Sequence, residues 1–271
     1  MLEGMLNDIC GADLFESIYE TLSINWFSGG SALDAVRVLH DTVKPVAIML
    51  MFIYFMIAVV DKLSGENFTW EQLWRQMALL LAAYYLMQHG FEILELLFNI
   101  GMAIAAQISG RFGTDISQTS VDAAGMIENF RQSFGIDGFS IKIIDNIFMF
   151  IYLLIPWLFS WIMRLCVSVI CYSRVIEIYA RATFAPIAIA DFFHSGLQSG
   201  GWRFLKNFLA VSLQGAMILV IAIIYSRLFS MISTTDTNFL TFVGKFLAFY
   251  AAAVMLMFKS LSLTKEIVGT N

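Results

Sequence analysis

Long apolar blocks, each bounded by charged, glycine or serine residues, most constrain what this chain can fold into. About 20 apolar residues cover a hydrocarbon core of roughly 30 Å, so blocks of this size suit membrane spans. They lack the strict alternation of a lipid-facing β-strand, and in hydrocarbon a helix bonds every backbone polar group within its own segment. The pattern predicts an all-α, polytopic membrane bundle with five or six transmembrane helices. The blocks lie at 43–60, 73–87, 143–172, 207–230 and 239–257.

Composition agrees with a chain dissolved in lipid. Hydrophobic residues make up 59% of the 271 residues and charged residues 14%, against roughly 45–50% and about 25% in soluble domains. The formal net charge of -5 argues against a free-standing basic protein that binds nucleic acid. The three cysteines, Cys10, Cys166 and Cys171, have no spacing typical of a disulfide framework or a zinc site. We expect no metal and no cofactor.

The chain divides into four predicted parts. Residues 1–36 form an acidic, amphipathic amino-terminal segment, and residues 37–108 form a first membrane half with two spans. Residues 109–142, which are rich in glycine and polar side chains, form a central extracellular loop. Residues 143–271 form a second membrane half with three or four spans and a cytoplasmic-face segment at 173–206.

Several boundaries allow more than one interpretation. The second predicted helix continues from its span past His89 to about Ile108, and so leaves the membrane before it ends. The block 143–172 is too long for one perpendicular crossing, so it tilts, extends into the cytoplasm, or breaks near Pro156 or Arg164. Pro186 is expected to interrupt the next segment, which would then be interfacial or re-entrant. In a six-span version, a separate crossing ends near Ala190.

The distribution of Lys and Arg predicts an extracellular amino terminus and a cytoplasmic carboxy terminus, because cytoplasmic loops carry an excess of these residues. Five basic residues fall on the other side in this arrangement: Arg37, Lys44, Arg111, Arg131 and Lys142. The residues placed in the cytoplasm are Lys62, Arg75, Arg174, Arg181, Arg203, Lys206, Lys259 and Lys265.

A polar stripe follows one side of the second predicted helix. Its spacings of four, three and four residues place the side chains on one face. One interpretation is a solvated face beyond the membrane. The other is a face that lines an aqueous path or a subunit interface, since carboxylates near lipid are costly. The stripe consists of Gln88, Glu92, Glu95 and Asn99.

Charged residues also occur at helical spacing on the predicted cytoplasmic face. Arg174, Glu177 and Arg181 lie three and four residues apart, so one carboxylate can pair with two guanidinium groups. They either hold an interfacial helix at headgroup level or, with Arg203 and Lys206, contact a cytoplasmic partner. No nucleophile, metal-ligand set or paired acid accompanies them, which argues against catalysis.

Arg164, in the third apolar block, and three histidines outside the blocks have simpler explanations. Arg164 either reaches the inner headgroups or is buried beside a carboxylate such as Glu92 or Glu95. His40, His89 and His194 are scattered, without the spacing of metal ligands, and are expected at interfaces or in loops.

The second half contains a recognisable series of short motifs. Their order and spacing resemble the TrbL-type polytopic subunit of conjugative type IV secretion systems, in the version carried on integrative elements of Gram-positive bacteria. The resemblance covers about 143–268, whereas the first half matches only in layout. The motifs are Arg174-Val-Ile-Glu-Ile-Tyr179, Ala185-Pro186-Ile187-Ala188, Gly201-Trp-Arg-Phe-Leu-Lys-Asn207, Leu213-Gln214-Gly215 and Phe258-Lys259-Ser260-Leu261-Ser262-Leu263.

This resemblance implies a non-catalytic plasma-membrane subunit that helps form the path for transfer of DNA or protein between cells. Its implied partners are the other membrane subunits and the cytoplasmic ATPases of the system. The chain has no phosphate-binding Gly-x-x-x-x-Gly-Lys loop of its own. Because one five-span bundle offers little polar perimeter, we expect a homo-oligomer in membrane lipid, with transient contact to transferred single-stranded DNA.

Two other classes are less consistent with the sequence. A stand-alone transporter or channel would be expected to show repeated halves with matching broken helices, and no such matching is visible. An intramembrane enzyme would need paired catalytic groups within its spans, which the blocks lack.

Overall fold

The apolar blocks form helices in the computed structural model, which describes residues 18, 21, 22, 30–64, 69–117, 142–191, 199–233 and 239–270. Within these residues there are six long α-helices and no strand. The prediction of an all-α membrane bundle is confirmed. Most of the amino-terminal segment and of the central loop lies outside the described residues. The helices are α1 (Ser31–Leu63), α2 (Trp70–Gln88), α3 (Gly90–Ser117), α4 (Lys142–Ala190), α5 (Gly200–Ser233) and α6 (Phe239–Val268).

Among the described residues, five helices are long and apolar enough to cross a membrane. The sequence predicted the second span at 73–87, which lies in α2. The second candidate span of the structure lies in α3 instead. The reason lies in the composition of α2, whose 19 residues include Glu71 and Arg75. The candidate spans are Ser31–Asp61, Gly90–Phe112, Leu154–Ala190, Gly200–Tyr225 and Gly244–Val268.

The helix α4 runs without interruption through Pro156 and Pro186 for 49 residues. The expected interruption at Pro186 was therefore wrong, and of the alternatives for the block 143–172 a break near Pro156 or Arg164 is excluded. Membrane helices tolerate proline because groups from neighbouring helices can satisfy the carbonyl that loses its partner. Because α4 is one continuous helix, the stretch that ends at Ala190 is its continuation and not a separate sixth span.

The predicted cytoplasmic-face segment at 173–206 is not a separate element. Its first part belongs to α4 and its last part to α5. At the start of α5, Asp191 accepts a hydrogen bond from the backbone N–H of Gly200 at 2.7 Å. The Ser199 hydroxyl accepts one from the N–H of Trp202 at 3.3 Å. These two oxygens satisfy amide groups that the first turn of a helix leaves without partners.

A single residue separates α2 from α3, where the sequence predicted one continuous helix. His89 has φ -98° and ψ 13°. Its N–H still donates to the Tyr85 carbonyl at 3.1 Å, and its carbonyl accepts from Ile93 at 3.1 Å. The next residue, Gly90, is buried, and a Cβ there would lie 3.0 Å from Cδ1 of Ile189. A glycine thus permits α3 to begin in close contact with α4.

The described chain groups into two compact units, with four helices contributing residues to the first and all six to the second. The first unit comprises Met1–Ile24, Ile104–Tyr172 and Gly215–Ser260. In its core the Tyr250 ring lies 5.6 Å from the stacked ring of Phe246 and 5.4 Å from that of Tyr225. Half-buried Arg164 hydrogen-bonds to the side chain of Tyr250.

The second unit comprises Asn25–Ala103, Ser173–Gln214 and Leu261–Asn271. Its main core joins four helices, because α1, α3, α4 and α5 each turn an apolar face inward. A smaller cluster joins α1, α2 and the end of α4. The predicted division of the sequence into four parts stays a prediction. The main core contains Leu33, Val36, Phe91, Leu94, Phe98, Ile178, Ala182, Ala185, Phe208 and Val211.

Gly101 marks the closest approach between α3 and α5. A Cβ at this position would overlap the carbonyl oxygen of Ser212 and lie 2.7 Å from its carbonyl carbon. Backbone atoms within a helix cannot move aside as a flexible side chain can. The absence of a side chain at Gly101 therefore sets the distance between these two helices.

We predict that Gly101→Ala lowers the stability of the purified protein by about 1–3 kcal/mol, the usual cost of overpacking a filled core. Thermal unfolding in detergent measures this change. The matched control is Gly110→Ala on the same helix, where a Cβ would meet no atom within 4 Å and alanine favours the helix. Equal stability of the two variants would contradict the close approach.

Candidate functional site

All four residues of the polar stripe belong to the second unit. Gln88 ends α2, and the other three lie on α3 within a candidate membrane span. Gln88, Glu92 and Asn99 are exposed, and Glu95 is half-buried. On the other side of α3, Phe91, Leu94 and Phe98 are buried in the main core. The helix therefore buries its apolar face within the chain, while three of the four stripe residues stay exposed and Glu95 is partly covered.

The first carboxylate of the stripe has a local partner. Nδ1 of His89 lies 2.9 Å from a carboxylate oxygen of Glu92, whose side chain is 75% exposed. The His89 ring also contacts the ring of Tyr85 at 4.6 Å. A carboxylate in the first turn suits the partial positive charge of a helix amino terminus. Glu95 and Asn99 lie one and two turns deeper in the helix than Glu92.

The charged residues Arg174, Glu177 and Arg181 of α4 contact α5 at two places. Arg181 forms an ion pair with Glu177 and donates through Nη1 to the backbone carbonyl of Asn207 at 3.0 Å. Arg174 donates through Nε to the carbonyl of Val211 at 3.1 Å and through Nη2 to that of Ser212 at 2.9 Å. The two guanidinium groups, seven residues apart on α4, thus bind successive turns of α5.

These contacts change what the predicted partner-binding residues can do. The exposed fraction of Arg174 is 3%, so its side chain stays inside the unit and supports α5. Arg203 is exposed and Lys206 is half-buried, with Nζ of Lys206 6.0 Å from the centre of the Trp202 ring. Of the basic residues in the predicted set, Arg203 is the most accessible to a partner.

His40 is a buried residue of α1, so of the two positions expected from the sequence, an interface or a loop, the loop was wrong. It is 1% exposed, and its Nδ1 lies 2.8 Å from the backbone carbonyl oxygen of Ala182. Because a carbonyl only accepts, Nδ1 carries the proton in this contact. The ring also packs edge-on against Phe91, with 5.5 Å between ring centres.

Pro186 explains why this carbonyl needs a donor. In an α-helix the carbonyl of residue 182 would accept the N–H of residue 186, and proline has no N–H. The His40 side chain of α1 supplies the missing hydrogen bond to α4. A proline within an apolar block signals that such a donor is required. Which residue provides it depends on the packing of α1 against α4, which the sequence pattern does not reveal.

A protein-family model matches this chain over residues 30–186, which is more than half of its 271 residues. The description of that family is TrbL/VirB6 plasmid conjugal transfer like protein. The chain belongs to this family. The match includes α1 to α3 and most of α4, so the family likeness extends through the first half, where the sequence had suggested agreement in layout alone. No curated protein and no solved structure matches the chain.

Membership in this family makes the chain a membrane component of a conjugal transfer system. The five helices of the described ranges that are able to cross a membrane make it a multi-pass protein. The stripe residues lie between positions 88 and 99, so the whole stripe is inside the matched region 30–186. His40, Arg174 and Arg181 lie inside it as well.

We predict that His40→Phe destabilises the protein in its natural background and does so less when combined with Pro186→Ala. Phenylalanine keeps an aromatic ring but leaves the Ala182 carbonyl without a donor, a loss of about 1–3 kcal/mol. Alanine at 186 restores an N–H that can bond this carbonyl within α4. Thermal unfolding of the four proteins in a double-mutant cycle measures the coupling. Additive effects of the two substitutions would rule out the proposed relation between His40 and Pro186.

Proposed function

We propose that this chain is a channel or scaffold subunit of the plasma membrane in a conjugative type IV secretion system. In this role it helps form the path along which DNA or protein passes between cells. The observation that carries the proposal is the polar stripe on α3, in a chain that belongs to a conjugal transfer family. The subunit supplies structure, and the cytoplasmic ATPases of the system supply energy.

The polar face of α3 supports this role because an ionisable side chain within a span needs water or a partner. Glu95 and Asn99 follow Glu92 on a helix apolar enough to cross the membrane. The buried face of the same helix fixes its orientation through Phe91, Leu94 and Phe98. A helix held in this way presents its carboxylates to an aqueous path or to another subunit.

We also propose that several copies assemble around or beside the path. Apolar side chains cover much of the surface of α1, including Met49, Phe52 and Met56, which are all exposed in the single chain. Such a face suits lipid or another membrane helix, whereas α3 supplies the polar face that a path requires. A single copy has too few polar faces to enclose single-stranded DNA, so copies or other membrane subunits would complete the perimeter.

The double substitution Glu92→Leu/Glu95→Leu tests the stripe. We predict that it lowers conjugation frequency by at least tenfold while membrane abundance stays normal, since leucine costs nothing in a membrane helix. The control, Glu71→Leu/Glu266→Leu, also replaces two carboxylates by leucine, both at exposed positions outside the stripe. It should transfer DNA normally.

Normal transfer by the stripe variant at normal abundance would contradict a role in the path. That outcome would leave the stripe as a solvated surface. Deletion of the gene with complementation by the natural chain, in the same mating assay, tests whether the chain is required for transfer at all.

The proposed orientation has an extracellular amino terminus and a cytoplasmic carboxy terminus. Single cysteines at Ser120 and Thr270, in a variant that lacks Cys10, Cys166 and Cys171, test it in intact cells. An impermeant thiol reagent should label the cysteine at Ser120 from outside and the one at Thr270 only after lysis. Labelling at Thr270 in intact cells would overturn the five-span orientation.

A further inference from the structure

An apolar groove lies between α5 and α6 in the first unit. Its volume is about 130 Å³, close to that of a cavity of roughly 150 Å³ that holds benzene. Tyr225 and Ala253 form a buried floor, and Ile224, Leu228 and Leu256 form an exposed rim. Its shape and lining suit a segment of hydrocarbon chain that enters from the membrane.

Two basic side chains flank one end of this groove. Lys245 precedes Phe249, a lining residue, by four positions and therefore lies on the groove face of α6, one turn nearer its start. Arg227 follows Ile224, a residue of the exposed rim, by three positions on α5 and therefore lies beside that rim. Both basic residues are exposed.

Both positions are also at one level of the membrane. The contact between the rings of Tyr225 and Tyr250 fixes the register of the two antiparallel helices. Arg227 lies two residues after Tyr225 on α5, and Lys245 lies five residues before Tyr250 on α6. Because the helices are antiparallel, both positions are displaced from the ring contact in the same direction. Their levels therefore differ by three residues, which is less than one helical turn. Arg227 follows the candidate span Gly200–Tyr225, and Lys245 is the second residue of Gly244–Val268. The charges therefore lie where lipid headgroups meet the hydrocarbon core.

We propose that this groove is a binding site for an anionic phospholipid. Arg227 and Lys245 contact the phosphate of the headgroup, and one acyl chain follows the groove past Phe249 and Leu228 toward Leu256. A zwitterionic lipid would fill the same groove, but its own cation would offset the attraction. An apolar helix from another protein would fill the groove without using the charges. The site is independent of the proposed role in DNA transfer.

Native mass spectrometry of the full-length protein in detergent tests the site. Phosphatidylglycerol and phosphatidylcholine with identical acyl chains are titrated separately. We expect preferential retention of phosphatidylglycerol and, in Arg227→Gln/Lys245→Gln, binding about 25-fold weaker. This figure assumes about 1 kcal/mol for each cation near an anionic lipid and tenfold for each 1.4 kcal/mol. Phosphatidylcholine binding should change little.

The matched control is Arg203→Gln/Lys259→Gln, which removes one exposed cation from α5 and one from α6 away from the groove. It should bind phosphatidylglycerol like the natural protein. A second variant, Ala252→Phe, fills the groove from an exposed lining position and should weaken phosphatidylglycerol binding at least tenfold with both cations retained. Thermal unfolding verifies that each variant is folded.

Several results would overturn the proposal. These are equal retention of the two lipids, an equal loss in the control variant, and natural phosphatidylglycerol binding by Ala252→Phe. Displacement of the lipid by millimolar inorganic phosphate would indicate a site for anions alone. A dimer that Ala252→Phe abolishes would indicate that a second copy of the chain occupies the groove.

Discussion

The second unit depends on one constraint: a backbone carbonyl inside a membrane protein must find its hydrogen-bond donor within the protein. Pro186 removes one donor from α4, and His40 replaces it from α1. Arg174 and Arg181 add donors from α4 to carbonyls of α5. These contacts are directional, unlike the packing of apolar side chains, and so they fix the rotation of the helices as well as their distance.

The exposed stripe of α3 follows from this arrangement. Gly101 lets α3 approach the backbone of α5, and the apolar side of α3 fills the space between its neighbours. Glu92, Glu95 and Asn99 must then point away from the core. A carboxylate turned inward would need a buried partner, which costs more than exposure to water or to a polar subunit.

Sequence patterns located the membrane helices well where hydropathy alone defines the span. The apolar blocks were visible from hydropathy, whereas the segment 173–206, expected as one cytoplasmic-face segment, is divided between α4 and α5. The second span was assigned to α2, because a run from Leu73 to Met87 looks apolar when its flanking charges are ignored. The prolines of α4 suggested interruptions, because local rules for soluble helices do not count donors that arrive from another helix.

The sequence by itself determined that the chain lies in lipid, that it is helical and that the stripe residues share one helix face. Each of these depends on residue type and on spacing along one helix. Its short motifs also pointed to the family. Only the tertiary structure decided that His40 donates a hydrogen bond to the Ala182 carbonyl and that Arg174 is buried against α5. The same holds for the position of Lys245 and Arg227 beside one groove. Those relations join residues 18 to 142 positions apart, and helix packing, which no local pattern encodes, brings them together.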